Sequence, residues 1–178
     1  MPLITVSGHP GSGTSTLVQG LVDLHGWSSI NGGDIFRAEA KRRGLDLEAF
    51  GKLCAMDDEV DRSLDVLLQE HMKEGTYSIV ESRLAGWWAY KLGLKSHRLW
   101  IDVDENERAK RVVSREGGTL ERALEANRTR ASVDGQRFME LYNLLPEQRE
   151  PYTTVLDATN LSKQQVLTEV IKILEAER

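Results

Sequence analysis

The stretch "GHPGSGTST" (residues 8–16) sits between a short β-branched apolar run, "LITVS" (3–7), and an amphipathic run over 15–25 that places Leu17, Val18, Leu21 and Leu24 on one side. The order is strand, glycine loop, helix. In this context the stretch fits G-x-x-x-x-G-K-[ST] at every fixed position but one, because Thr14 stands where the lysine belongs. Such a loop binds phosphate because its glycines let consecutive backbone N–H groups turn inward at the positive end of the following helix. Gly8, Gly11 and Gly13 supply that backbone, with His9, Pro10 and Ser12 between them, and Ser15 stands where a hydroxyl reaches Mg²⁺. Thr16 is placed to serve the α-phosphate.

Thr14 raises the question of charge. A lysine brings a full positive charge to the β- and γ-phosphates, whereas a threonine hydroxyl offers a neutral hydrogen bond of roughly half the strength. If a phosphoryl group moves here, cations from elsewhere in the chain must neutralise it.

The rest of the chain alternates in the same way. "WSSI" (27–30) reads as a second strand, ending in "NGGD", whose Asp34 caps a helix through Ile35, Phe36 and Ala40. Helices are expected over 46–56 and 58–73, then strands over "TYSIVES" (76–82), "RLWIDVD" (98–104) and "TTVLDAT" (153–159). Further helices are expected over 105–115, 118–143 and 162–176. Strands apolar on both faces and alternating with helices imply a three-layer αβα fold with a five-stranded parallel sheet. Ligands then bind at the carboxyl ends of the strands.

Composition narrows the field. With 178 residues, a single domain over 1–178 is expected. A net charge of −5 speaks against a nucleic-acid coat, which draws its affinity from neutralised backbone phosphates. No apolar run approaches the roughly 20 residues that span a bilayer, and the start lacks a basic, long-apolar leader, so the expectation is a cytoplasmic protein without a membrane partner. The lone Cys54 reads as a buried, reduced thiol. Arginines are concentrated in residues 108–149, which hold eight of them. By itself such a segment is an ion-paired helix surface; beside a phosphate loop it is a source of cations.

Two further motifs end strands. "GGDIFR" (32–37) closes on Arg37, and "VESRLAGWW" (80–88) holds Glu81 and Arg83. Together with the glycine loop these stretches resemble the cytidylate kinases of the archaeal type, among the nucleoside monophosphate kinases. The resemblance is strong over residues 1–120 and fades beyond Tyr142, at "YNLLPEQREPY". Threonine at the lysine position is common in that family. The resemblance implies ATP and Mg²⁺ as cofactors, an acceptor-nucleotide insert over 31–75 and a lid over 111–137. It implies that Arg37 and Arg83 hold the acceptor phosphate, with Asp34 near it, and that Glu81 holds Mg²⁺ through water. Without it, Glu81 would read as a strand-end partner of Arg83.

In "RVVSREGG" (111–118), Arg111 and Arg115 lie one helical turn apart before a glycine pair able to act as a hinge. In "RASVDGQR" (130–137), Arg130, Asp134 and Arg137 fall on one stripe. Both resemble the lid of the nucleoside monophosphate kinases. The expectation is that Arg111, Arg115, Arg130 and Arg137 close over the nucleotides and supply the charge that Thr14 lacks. No general base is needed, because the acceptor phosphate is an anion at pH 7, and His9 reads as an exposed loop residue. Asp61 and Asp65, one turn apart, lie in the region that the family uses for the acceptor nucleoside, and a carboxylate can accept from the cytosine amino group. A solvated acidic face paired with Arg62 explains them equally well, and Trp87 and Trp88 either line the cleft or pack.

The expected activity is transfer of the γ-phosphoryl group of ATP to CMP or dCMP, by a monomer acting on small nucleotides. Two alternatives stay open: another acceptor (AMP, UMP or a small alcohol such as shikimate), and a nucleotide-binding module without catalysis.

Overall fold

The computed structural model describes residues 3–176. Along the chain run β1 (Leu3–Gly8), α1 (Thr14–His25), β2 (Ser29–Asn31), α2 (Gly32–Arg42), α3 (Leu47–Met56), α4 (Asp58–Glu74) and β3 (Ile79–Glu81). There follow α5 (Ala85–Lys91), β4 (Ser96–Asp102), α6 (Glu105–Glu116), α7 (Leu120–Tyr142), β5 (Thr154–Asp157) and α8 (Lys163–Ala176). All strand pairs are parallel, in the order β2-β3-β1-β4-β5. The strand carrying the glycine loop is therefore central, and Val6 pairs with Glu81 at the end of β3. Among the described residues no helix is long and apolar enough to cross a membrane.

The sheet is buried on both faces, as its apolar strands require. On one face Ile4, Val6, Ile79, Leu99 and Ile101 pack with Leu17, Val18 and Leu21 of α1 and Val166, Val170 and Leu174 of α8. On the other, Ile30 and Val80 meet Leu68 and Met72 of α4, Trp87 and Trp88 of α5, and Phe138 of α7. A smaller cluster of Ala40, Phe50 and Cys54 ties α2 to α3, so the thiol is buried and free as expected.

The expected elements appear within a few residues of their predicted bounds, with three differences. Leu24 does not join the apolar face of α1 and is 57% exposed, because the helix ends one residue later at His25, capped by Gly26 in a left-handed turn. The cap of α2 is Asn31, whose side chain accepts from the Asp34 amide; Asp34 returns the bond to the Asn31 amide, so it is the inner member of a capping box. The short helix α5 was not expected. It forms under the sheet because Gly86 lets its backbone come close: a Cβ there would overlap the Tyr152 ring, and the Gly86 amide reaches the Ser7 hydroxyl at 3.4 Å.

Glu39 of α2 is 5% exposed, yet accepts hydrogen bonds from Arg42 and Arg43. The Arg42 hydrogen bond leads the causes that draw its carboxyl from 4.5 to about 2. A carboxyl lowered in the folded state stabilises above its unfolded value and loses that contribution as pH falls through the folded one. Glu39→Gln should therefore lower the melting temperature by a few degrees at pH 7. Calorimetry should show that difference shrinking between pH 4.5 and pH 2.

Candidate active site

The site is built on a helix start left bare. Helices α2, α3, α4, α6 and α7 are closed by side-chain caps from Asn31, Asp46, Asp57, Asp104 and Thr119. Helix α1 instead begins at Gly13, in a left-handed conformation (φ 85°), with no side-chain cap. Its first amides stay open to an anion at the positive end of the helix dipole. Gly11, also left-handed at φ 83°, lies where a Cβ would come within 3.0 Å of the Arg108 carbonyl oxygen.

These amides open into a cavity of about 710 Å³. Of the residues expected to form the site, His9, Pro10, Gly11, Gly13, Thr14, Ser15, Thr16, Arg37, Asp61, Asp65, Glu81, Arg83, Arg115, Arg130 and Arg137 all line it. Asp134 lines it too, so the whole Arg130, Asp134, Arg137 stripe faces one space. Gly8 and Ser12 shape the loop without lining the cavity. Gly8 packs against β4, where a Cβ would meet the Ile101 carbonyl oxygen at 2.9 Å. Asp34 also lies outside the lining: it is spent on the α2 cap and on Arg37, whose Nη2 donates to it at 2.7 Å.

At the floor of the cavity, Thr14 Oγ1 and Ser15 Oγ both donate to Glu81 Oε1, at 2.7 and 2.8 Å. Glu81 is thus bound to the loop and not to Arg83, which lies 3.5 Å from Asp134. Burial lowers the Arg83 pKa, with Asp134 opposing, so this cation sits in the cavity wall at an electrostatic cost that an anion would relieve.

Asp61 and Asp65 do not form a solvated face. Asp61 is 7% exposed and accepts from Arg137 at 3.2 Å; burial raises its pKa while Arg137 opposes the rise. Asp65 accepts from the Tyr142 hydroxyl at 2.6 Å and the Trp88 indole at 3.3 Å, and burial raises its pKa as well. Arg62 lies over the Tyr142 ring, 5.4 Å from its centroid, and not beside the carboxylates. Trp87 packs in the core and donates to the Leu145 carbonyl, so of the two indoles only that of Trp88 reaches a cavity residue.

Two expectations change. His9 is not an exposed loop residue: its ring stands edge-on to Trp100 with centroids 5.1 Å apart, and burial lowers its pKa. Arg111 does not enter the cavity. Its guanidinium donates to the carbonyls of Ser12 (3.3 Å), Ala158 (2.8 Å) and Leu161 (3.4 Å), bracing the glycine loop against the turn after β5. Arg108, which the sequence reading passed over, does the same from Val103 to Pro10. The only local signal was its place one turn before Arg111 on the same helix face.

A family model described as AAA domain matches residues 7–130. Among relatives, the cytidylate kinase of Natronomonas pharaonis is 37% identical over 160 residues, covering 90% of this chain and 82% of that one. The cytidylate kinase of Thermococcus kodakarensis is 37% identical over 158 residues, covering 89% and 80%. In fold, the shikimate kinase of Acinetobacter baumannii in complex with shikimate superposes with a TM-score of 0.65 at 11% identity, over 100% of this chain and 95% of that one. A parallel sheet with an uncapped glycine loop at the end of its central strand, and arginines facing that loop, defines a P-loop kinase. Within that class, the chain belongs to the family of archaeal-type cytidylate kinases. The alignment with the first of these relatives covers 90% of the chain.

The placement of Arg111 leads to a measurable distinction. Arg111→Ala should lower the melting temperature and raise the Kd for ATP, since it frees the loop, while kcat at saturating ATP stays within about threefold. Calorimetry and steady-state kinetics on the same preparation separate this from a direct part in transfer, which would lower kcat.

Proposed function

We propose that this chain transfers the γ-phosphoryl group of ATP to the phosphate of CMP or dCMP, giving ADP and CDP or dCDP. The observation that supports it most is the convergence of Arg37, Arg83, Arg115, Arg130 and Arg137 on one cavity with the open amides of α1. Arg37, in α2, and Arg83, just past β3, stand apart from the glycine loop and offer a second anion site, which a phosphorylated acceptor needs and an uncharged alcohol does not. Against the non-catalytic reading stand the relatives, which are cytidylate kinases.

In this reading a phosphate oxygen of CMP attacks the γ-phosphorus in line, and the bond to the β–γ bridging oxygen breaks. The acceptor oxygen is already unprotonated, so alignment and charge stabilisation dominate. The amides of Gly11 and of residues 13–16 hold the ATP phosphates, that of Ser12 being spent on the His9 carbonyl. Arg37 and Arg83 hold the acceptor phosphate, and Asp34 orients Arg37. Arg115, Arg130 and Arg137 spread their planar forks over the moving group. Arg111 and Arg108 hold the loop in shape beneath it. At the deep end, Asp61 and Asp65 face the acceptor base, Asp65 held by Tyr142 and Trp88 so that it can accept from the cytosine amino group.

Mg²⁺ suits the floor of the cavity, where the Ser15 hydroxyl and the Glu81 carboxylate offer hard oxygens 2.8 Å apart. Bound with ATP, Mg²⁺ would neutralise charge on the β- and γ-phosphates. Residues 31–75 make up the acceptor insert and 111–137 the lid, whose hinge is Gly117 and Gly118, both at positive φ. Closure would exclude water and suppress ATP hydrolysis. The proposed enzyme is a monomer working on free nucleotides in the cytoplasm.

An ADP-release assay across CMP, dCMP, UMP and AMP tests the acceptor: CMP or dCMP should give the highest kcat/KM, and a preference for AMP or UMP would replace this reading. In the same assay Arg137→Ala should cut kcat by about a thousandfold while leaving the KM for ATP within a few-fold. Equal turnover would remove Arg137 from the transfer step.

A further inference from the structure

Thr14 stands at the position where a lysine would project to the phosphates, but its hydroxyl is committed elsewhere. Oγ1 donates to Glu81 at 2.7 Å, across 67 residues of sequence, and the side chain is almost fully buried. Ser15 donates to the same oxygen, Oε1. Among the described residues no donor reaches Oε2. Two donors on one carboxylate oxygen restrain the group and leave the other oxygen of this cavity-lining residue available to a cation. Thr14 is also shaped to its place: a Cβ on Gly8 would lie 3.0 Å from its methyl group, so the methyl packs against the start of the loop while the hydroxyl faces β3.

We propose that Thr14 is a positioning residue for Glu81 and not a weakened lysine. Resting on the reading of the cavity as a nucleotide site, this gives the residue a role in presenting the Glu81 carboxylate to a divalent cation bound with ATP. A lysine at this position would bring charge but no hydroxyl to hold Glu81 Oε1. The substitution is therefore a working part whose replacement by the commoner residue impairs the enzyme.

The test measures Mn²⁺ binding to the protein–ATP complex by electron paramagnetic resonance, with no acceptor present, alongside ATP affinity in the absence of metal. Thr14→Ser keeps the hydroxyl and should stay within about twofold of the parent in Mn²⁺ affinity. Thr14→Val keeps the shape and loses the donor; it should lose about tenfold in Mn²⁺ affinity and in kcat, with metal-free ATP affinity unchanged. Thr14→Ala serves as a second hydroxyl-free variant, and melting curves establish that each protein is folded. Thr14→Lys should fall with Thr14→Val. The double variant Thr14→Val/Glu81→Gln should be no worse than Glu81→Gln alone, because both changes remove one arrangement. Retained Mn²⁺ affinity in Thr14→Val, a loss in Thr14→Ser equal to that in Thr14→Val, or a gain of turnover in Thr14→Lys would each overturn the proposal. Since the binding measurement uses no acceptor, such a result leaves the choice of CMP untouched, and a wrong acceptor leaves this inference standing.

Discussion

The open amides at the start of α1 are the constraint around which the molecule is arranged. Helix ends normally find partners for their unpaired N–H groups, and the side-chain caps of α2, α3, α4, α6 and α7 show this chain meeting that need elsewhere. At Gly13 it does not, and the left-handed backbone at Gly11 and Gly13 turns the loop so that those groups face one space. Holding a bare helix end in place takes support from outside. Arg108 and Arg111 give it by binding the loop carbonyls of Pro10 and Ser12, which leaves the amides at the start of α1 open.

Charge in the cavity is balanced in pairs. Arg37 faces Asp34, Arg83 faces Asp134 and Arg137 faces Asp61. These three arginines are each held by a carboxylate, and at Arg83, the most buried of them, the pairing offsets part of the cost of burial. An incoming phosphate competes with a carboxylate of similar geometry and greater charge. Exchange of partners, not creation of new order, then accompanies binding. Asp61 lies on α4 and Arg137 on α7, so the pair ties these two helices together at the cavity.

The deep end of the cavity follows a different logic. Asp65 is held by two neutral donors, the Tyr142 hydroxyl and the Trp88 indole, in surroundings dry enough to raise its pKa. A carboxylate so fixed reads shape and hydrogen-bond pattern more than charge, which suits recognition of a base. Helix α5, which delivers Trp88, can pack against the Tyr152 ring because position 86 is glycine.

Local signals were enough for the alternation of strands and helices, the glycine loop and most helix bounds, since periodicity and caps act over about four residues. The arginine stripe at 130–137 was legible for the same reason, being a property of one helix face. Helix α5 escaped because "AGWWAYK" is nearly all buried and shows no polar face for a period to appear against. The capping box of α2 was half legible, since "NGGD" supplies both partners and spacing alone does not say which of them starts the helix. By itself the amino-acid sequence determined that this chain has a phosphate-binding loop within a parallel α/β fold, because those features are written in neighbouring residues. Only the tertiary structure decided that Thr14 reaches Glu81, that Arg111 braces the loop instead of entering the cavity, and that Arg137 meets Asp61. These contacts join residues far apart in the chain, and their distances depend on strand order and helix packing, which residue spacing does not encode.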